Sequence, residues 1–170
     1  MDINGDLIIN ANNAVNVRGN STVNINTDSQ HTTVLNGDIV FETPATPENY
    51  HGSGQIINSY VNINLVGEES SWTGSAYQEY KINEADEKYQ HVVDMNVQPY
   101  QGNVTGFKLN ISDGAVWNMT DDSFINNVNV ADGGAVNVQE NVKVFNAGDV
   151  ALNNGNLNIQ GENKIGRAHV

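Results

Sequence analysis

Asp121-Asp122 is the first place in this sequence to look for chemistry, because adjacent carboxylates can share a cation or divide acid and base roles. The same pair also suits a solvated turn between two strands, where Asp accepts hydrogen bonds from nearby backbone, and that reading is preferred. His31, His51 and His91 are too widely separated to show metal-ligand spacing and are expected in loops. Glu68-Glu69-Ser70-Ser71 has no Gly-x-Ser-x-Gly context and no partner base. Neither a Gly-Gly-x-Gly-x-Asp calcium repeat nor a glycine-rich phosphate loop occurs. With no cysteine, disulfides and thiolate metal sites are excluded. No catalytic, cofactor or metal site is expected.

Binding has better candidates. An exposed aromatic ring is a platform for a sugar, so Trp72 and Trp117 are weighed for stacking against packing in a core or wall, the commoner fate of such rings. Tyr77, Tyr80, Tyr89 and Tyr100 form the stronger group. They fall in or beside a segment whose composition departs from the rest, and loops on a rigid scaffold are where such proteins carry binding. Tyr77, Tyr80, Tyr89, Tyr100 and Trp72 are therefore the ligand-binding candidates.

The scaffold that would hold them is repetitive. Gly114-Ala115-Val116-Trp117-Asn118-Met119, Gly134-Ala135-Val136-Asn137-Val138 and Gly155-Asn156-Leu157-Asn158-Ile159 recur at steps of roughly 20 residues, a period that signals a solenoid. Ala14-Val15-Asn16-Val17-Arg18-Gly19-Asn20 matches Ala135-Val136-Asn137-Val138-Gln139-Glu140-Asn141 at five of seven positions, which extends the unit to the start of the chain. Short alternations such as Val15-Asn16-Val17, Val23-Asn24-Ile25 and Val61-Asn62-Ile63-Asn64-Leu65 read as strands. Asn12-Asn13, Asp28-Ser29 and Asn36-Gly37-Asp38 separate them with turn formers. One coil alone buries too little to offset its ordering entropy, so stability must accrue by stacking. Asn at the turns fits, because amides at equivalent positions can bond one above another.

Composition agrees. The chain of 170 residues is 38% hydrophobic and 7% aromatic, lean for a globule around one central core, and about one residue in six is Asn. That Asn alternates with β-branched residues, which argues for folded strands rather than disorder. Seven Lys and Arg against 20 Asp and Glu give a net charge of −13, which argues against nucleic-acid and anionic-membrane partners. No apolar run approaches the roughly 18 residues of a membrane span, so no direct membrane insertion is expected.

Two segments interrupt the coil. Residues 43–54 hold two of the three prolines and are expected to form a loop. Residues 78–102 are expected to project as an insertion, with a hairpin through Ile82 and His91-Val92-Val93 or a short helix over 83–88. The β-helix is thus assigned to 1–164. Ile165-Gly166-Arg167-Ala168-His169-Val170 breaks the repeat and looks like a translated sequencing adapter, so 165–170 is read as a non-native tail. Met1-Asp2-Ile3-Asn4-Gly5 lacks a secretion signal, and the chain is read as a fragment open at both ends.

Leu65-Val66-Gly67, Ser71-Trp72-Thr73-Gly74, the run from Ile111 to Ser123 and the Asn126 to Gly134 stretch resemble the pertactin-like passenger region of bacterial autotransporters. The likeness covers roughly 61–163 well and the N-terminal third only by pattern. It implies a right-handed parallel β-helix displayed on a Gram-negative cell surface, extracellular and associated with the outer membrane. A C-terminal translocator barrel would be expected in the full-length protein. The function expected is a non-enzymatic stalk or scaffold with an adhesive role, toward a host-surface protein or glycan. Two alternatives stay open: a pectin-lyase-like polysaccharide-degrading enzyme, which would gather three or more carboxylates in one groove, and a filamentous-haemagglutinin-like adhesin with a different export route.

Overall fold

The computed structural model describes residues 1–18, 21–44, 59–81, 106–161 and 164–166. They form fourteen strands: β1 (Asp2–Ile3), β2 (Leu7–Arg18), β3 (Thr22–Ile25), β4 (Thr33–Pro44), β5 (Tyr60–Val66), β6 (Ser71–Gly74), β7 (Ala76–Lys81), β8 (Phe107–Ser112), β9 (Val116–Met119), β10 (Ser123–Ala131), β11 (Ala135–Val138), β12 (Val144–Asn153), β13 (Asn156–Ile159) and β14 (Lys164–Gly166). The described residues contain no helix, and so none that could cross a membrane.

Two sheets hold these strands. One runs β1-β3-β5-β8-β10-β12-β14; the other runs β13-β11-β9-β6-β4-β2, with β7 beside β4. Every pairing between named strands is parallel. The chain crosses from sheet to sheet, so each strand lies beside the one laid down on the previous pass. This topology is compatible with a β-helix or other solenoid. Strand β4 bends near Gly37: Val34–Asn36 pair with β6 and Ile39–Pro44 pair with β7.

Alternation along each strand builds the core. In β5 the pattern from Val61 to Leu65 is buried, half-buried, buried, half-buried, buried. Ile9, Leu35, Trp72, Trp117, Val136 and Leu157 form one inward row across the second sheet. Ile3, Ile25, Ile63, Leu109, Val128 and Val150 form its counterpart across the first. Aromatic rings link the layers. Trp72 and Trp117 stack with centroids 4.5 Å apart and planes 7° apart, Phe107 lies 5.9 Å from both Trp72 and Phe41, and Phe145 meets Trp117 edge-on at 5.7 Å.

The outward positions carry amide ladders, mostly on strands and not at the turns where the composition suggested them. Asn158 Nδ2 donates to Asn137 Oδ1 at 2.8 Å, and Asn137 Nδ2 donates to Asn118 Oδ1 at 2.9 Å. A second ladder runs from Asn62 through Asn24 to Asp2, with bonds of 2.7 and 2.6 Å. Asn110 donates to Asn64, and Asn36 to Asn10. Parallel strands lie about 4.8 Å apart, a spacing one amide can bridge. One turn amide bonds to backbone instead: Asn26, at φ 52° and fully buried, accepts from the backbone N–H of Gln30 and His31 and donates to the carbonyls of His31 and Asn64. Asn137 is both donor and acceptor, so Asn137→Leu is expected to cost about 1–2 kcal/mol, measured by urea unfolding.

The structure corrects the repeat register in two places. Matching glycines would align Gly114 with Gly134 and so Val116 with Val136. In the fold Val116 faces Ala135, and Trp117 faces Val136. The turns Asp113-Gly114 and Asp132-Gly133 are the equivalent points, all at positive φ, and Gly134 stands where the earlier pass has Ala115, so matching Gly114 with Gly134 displaces the register by one. Ala14-Val15-Asn16-Val17 is likewise not the structural counterpart of Ala135–Val138. Val15 pairs with Ile39, whereas Ile8–Asn10 occupies the rows that continue to β11.

Segment boundaries move too. Thr43 and Pro44, expected in a loop, close β4 opposite Tyr80 and Lys81. Residues 78–81, expected in the projecting insertion, complete β7, and Gln78 is buried at the position facing Phe41. The rest of both segments, 45–54 and 82–102, lies outside the described residues, as do the anticipated hairpin and short helix. Lys164–Gly166 pairs with Val144–Asn146, so Ile165 and Gly166 continue the ladder although they were set apart as a tail.

Candidate functional site

Asp38, Ser75, Tyr77, Asp121, Asp122 and Phe124 line one open groove of about 430 Å³. Three local features assemble it. The bend of β4 after Gly37 sets Asp38 at the start of its second half. Ser75 joins β6 to β7, and the turn between β9 and β10 supplies both remaining carboxylates. Tyr77 and Phe124 alternate with the buried residues of their strands and are half-buried themselves.

Each carboxylate is held by hydrogen bonds. Asp38 Oδ1 accepts from the backbone N–H and hydroxyl of Ser75, both at 2.8 Å. Asp122 Oδ1 accepts from the backbone N–H of Lys143 at 2.7 Å and of Val144 at 2.8 Å. Asp121 Oδ1 accepts from the Asp122 N–H at 2.8 Å. Behind them Ser123 Oγ, fully buried, donates to the Asp121 carbonyl and accepts from the Ala76 N–H. Asp122 thus ties the start of β12 to the turn on the pass before it, the turn role preferred for this pair. Asp122→Ala is expected to cost about 1–3 kcal/mol by orphaning two backbone donors. Asp122→Asn keeps an Oδ1 acceptor and is expected to stay close to wild type in the same thermal melt.

Three of the five binding candidates lie among the described residues. Tyr77 is in the groove. Tyr80 lies on β7 opposite Thr43; Tyr89 and Tyr100 fall outside the described residues. Trp72 is corrected: it is fully buried, stacked on Trp117, and its Nε1–H donates to the Gly37 carbonyl at 2.9 Å. A ring with no exposed face cannot be a ligand platform. Trp117 is equally buried, donating to the Gly74 carbonyl at 3.0 Å.

Other sequence candidates resolve into structural roles. Ser70 is buried, donates to the Val66 carbonyl and accepts from the Thr33 N–H, so its hydroxyl is engaged in the turn. His31 lies 3.7 Å from Asp6 Oδ1 and 3.5 Å from Asp28 Oδ2; His51 and His91 are outside the described residues. Among the described residues no group of three or more His, Cys, Asp or Glu side chains is placed to hold a metal ion.

Asp38 and Phe124 escaped the sequence reading. Asp38 looked like an ordinary turn residue after Asn36-Gly37, and Phe124 an ordinary strand residue. Their juxtaposition with Tyr77 depends on pairing between residues far apart in the chain. The chain matches no protein-family model, no curated protein and no solved structure.

Proposed function

We propose that this chain is a right-handed parallel β-helix with coils of about 20 residues, serving as the stalk or scaffold of a pertactin-like, surface-displayed passenger with an adhesive role. The observation that carries the reading is the continuous all-parallel ladder, whose strands alternate between two sheets around one shared core. Stacked amides 19 and 21 residues apart support the coil length, and right-handed crossovers are the rule for parallel connections. A rigid rod with a polar, acidic wall suits display away from a cell. In the source cells, protease added outside intact cells should cleave the protein and antibody should label it. Confinement to the cytosol would overturn the surface assignment. Beads coated with the folded chain should adhere to a mucin-coated surface, and beads coated with heat-unfolded chain should not.

A second reading has one observation in its favour. Asp38, Asp121 and Asp122 line a single groove, the gathering of carboxylates expected of a polysaccharide-degrading enzyme on the same fold. Against it, each of the three is already bonded through Oδ1 in a structural role, and among the described residues no basic side chain lines the groove. Incubation with polygalacturonate is expected to release neither reducing nor unsaturated ends. Release above a buffer blank would favour the enzyme.

A further inference from the structure

The outward rows of the first sheet are mostly amides, and two of the exceptions stand close together. Tyr60 opens β5 on an outward position and keeps 51% of its surface exposed. Lys108, outward and exposed on β8, pairs with Asn62, two positions along β5 from Tyr60. One strand across and two residues along puts the two Cα atoms about 8 Å apart, the width of a sugar ring with its substituents. The tyrosine ring lies against backbone. A Cβ on Gly106, at φ 92°, would stand 2.8 Å from Tyr60 Cδ1 and 3.2 Å from Cε1, so the glycine makes room for the ring.

A single exposed ring is ordinary; the polar groups beside this one are what select a ligand. Asn62 donates through Nδ2 to Asn24 Oδ1 at 2.7 Å, and among the described residues its own Oδ1 accepts no hydrogen bond. Lys108 makes no ion pair among the described residues. The carboxylates of its row are Asp149, two strands on, and Asp2, three strands back, about 10 and 14 Å away. The neighbouring outward row, Asn64, Asn110 and Asn129, has none. A chain of net charge −13 thus holds here a cation with no counter-ion beside it.

We propose that Tyr60, Asn62 and Lys108 form a binding face for a terminal hexuronic acid residue of a glycan. A pyranose uronate offers a C–H face for the ring, hydroxyl donors for Asn62 Oδ1 and one carboxylate for the ammonium. A neutral sugar would leave Lys108 unpaired, and a polyanion would meet the repulsion of the acidic chain. One charge at the end of an otherwise neutral glycan satisfies both limits. The inference rests on the adhesive reading for its setting and names the ligand class for it.

The test is a nuclear magnetic resonance titration of the isotope-labelled whole chain with methyl β-glucuronide and, in parallel, methyl β-glucoside. The glucuronide should shift the amide signals of Tyr60, Asn62 and Lys108 with a dissociation constant on the order of 1 mM, the scale for so small a ligand. The glucoside should bind roughly fivefold more weakly. Lys108→Gln should weaken glucuronide binding roughly fivefold and leave glucoside binding unchanged. Tyr60→Ala should weaken both roughly fivefold. Both side chains are exposed, so the variants should keep the fold, and their amide spectra report it. Equal affinity for the two sugars would overturn the proposal, as would shifts elsewhere only, or glucuronide affinity unchanged in either folded variant. Shifts at Tyr60 that follow chain concentration instead of sugar would place a second copy on the face and overturn it too. The bead assay separates the two ideas: adhesion to mucin without glucuronide binding removes this face and leaves the adhesive reading standing. Glucuronide binding without bead adhesion does the reverse.

Discussion

Trp117→Ala is expected to destabilise the chain by about 3–5 kcal/mol, among the largest losses any single truncation here should cause. Trp117 is fully buried and is the meeting point of the aromatic core, stacked on Trp72 and touched edge-on by Phe145. Alanine would remove both contacts and leave a cavity that a repeating backbone cannot easily collapse, because each strand is pinned by ladders to the passes on either side. The loss has a polar part as well, since the Gly74 carbonyl would lose the indole N–H that it accepts. Trp117→Phe should recover a large share of the packing but not the hydrogen bond. Urea unfolding measures both variants. The two tryptophans are the only ones in the chain and are stacked with nearly parallel planes, so the coupling of their ultraviolet transitions should be lost from the circular dichroism spectrum of Trp117→Ala. A spectrum unchanged in that variant, or a loss below about 1 kcal/mol, would contradict the stacked core.

Gly74→Ala is the second substitution with a large expected effect, about 3 kcal/mol or more. A Cβ at Gly74 would stand 2.2 Å from the Gly37 carbonyl oxygen and 2.8 Å from Trp72 Nε1, the two atoms joined by the indole hydrogen bond. Neither clash can be relieved by rotating a flexible side chain. The oxygen belongs to the backbone, and the indole is fixed in the core. The same constraint repeats one pass earlier, where a Cβ on Gly37 would lie 2.0 Å from the Ala11 carbonyl oxygen. Glycines therefore stack where the second sheet bends, and their missing side chains admit the carbonyl-to-indole bonds. Thermal melts of Gly74→Ala and of Thr73→Ala, on the outward neighbour, separate this effect from general intolerance. A Gly74→Ala melt matching wild type would mean that the close backbone approach at the bend is absent.

Alternation of Val or Ile with Asn, as in Val61-Asn62-Ile63-Asn64-Leu65, was enough to identify strands with one dry and one polar face, because side chains on a strand alternate with a period of two. The recurrence near 20 residues pointed to stacked passes for a similar reason: a short strand that buries one face needs a neighbour above and below. The turns at Asp113-Gly114 and Asp132-Gly133, where positive φ is required, were not singled out from the sequence. Register was less legible. A glycine match favoured Val116 over Val136, but the counterpart of Gly114 is Gly133 and not Gly134, and a slip of one residue exchanges inside for outside. Placed correctly, Trp117 falls inward beneath Trp72. Trp72, offered as a ligand platform, thereby belongs to the core, the packing outcome that was weighed as the commoner for both tryptophans.

The sequence by itself determined the all-β class, the strand periodicity, the acidic polar wall and the turn role of Asp122, since each depends on residues adjacent in the chain or on total composition. Only the tertiary structure decided which rings are exposed and which carboxylates meet. Asp38 and Ser75 are bonded although they stand 37 positions apart in the chain, and Ala76 meets Ser123 across a separation of 47. Contacts of that kind depend on the lengths of the intervening segments, because each added or lost residue shifts what stacks on what. The groove that gathers Tyr77, Phe124 and three aspartates exists for that reason, as a product of register between passes and not of any local motif.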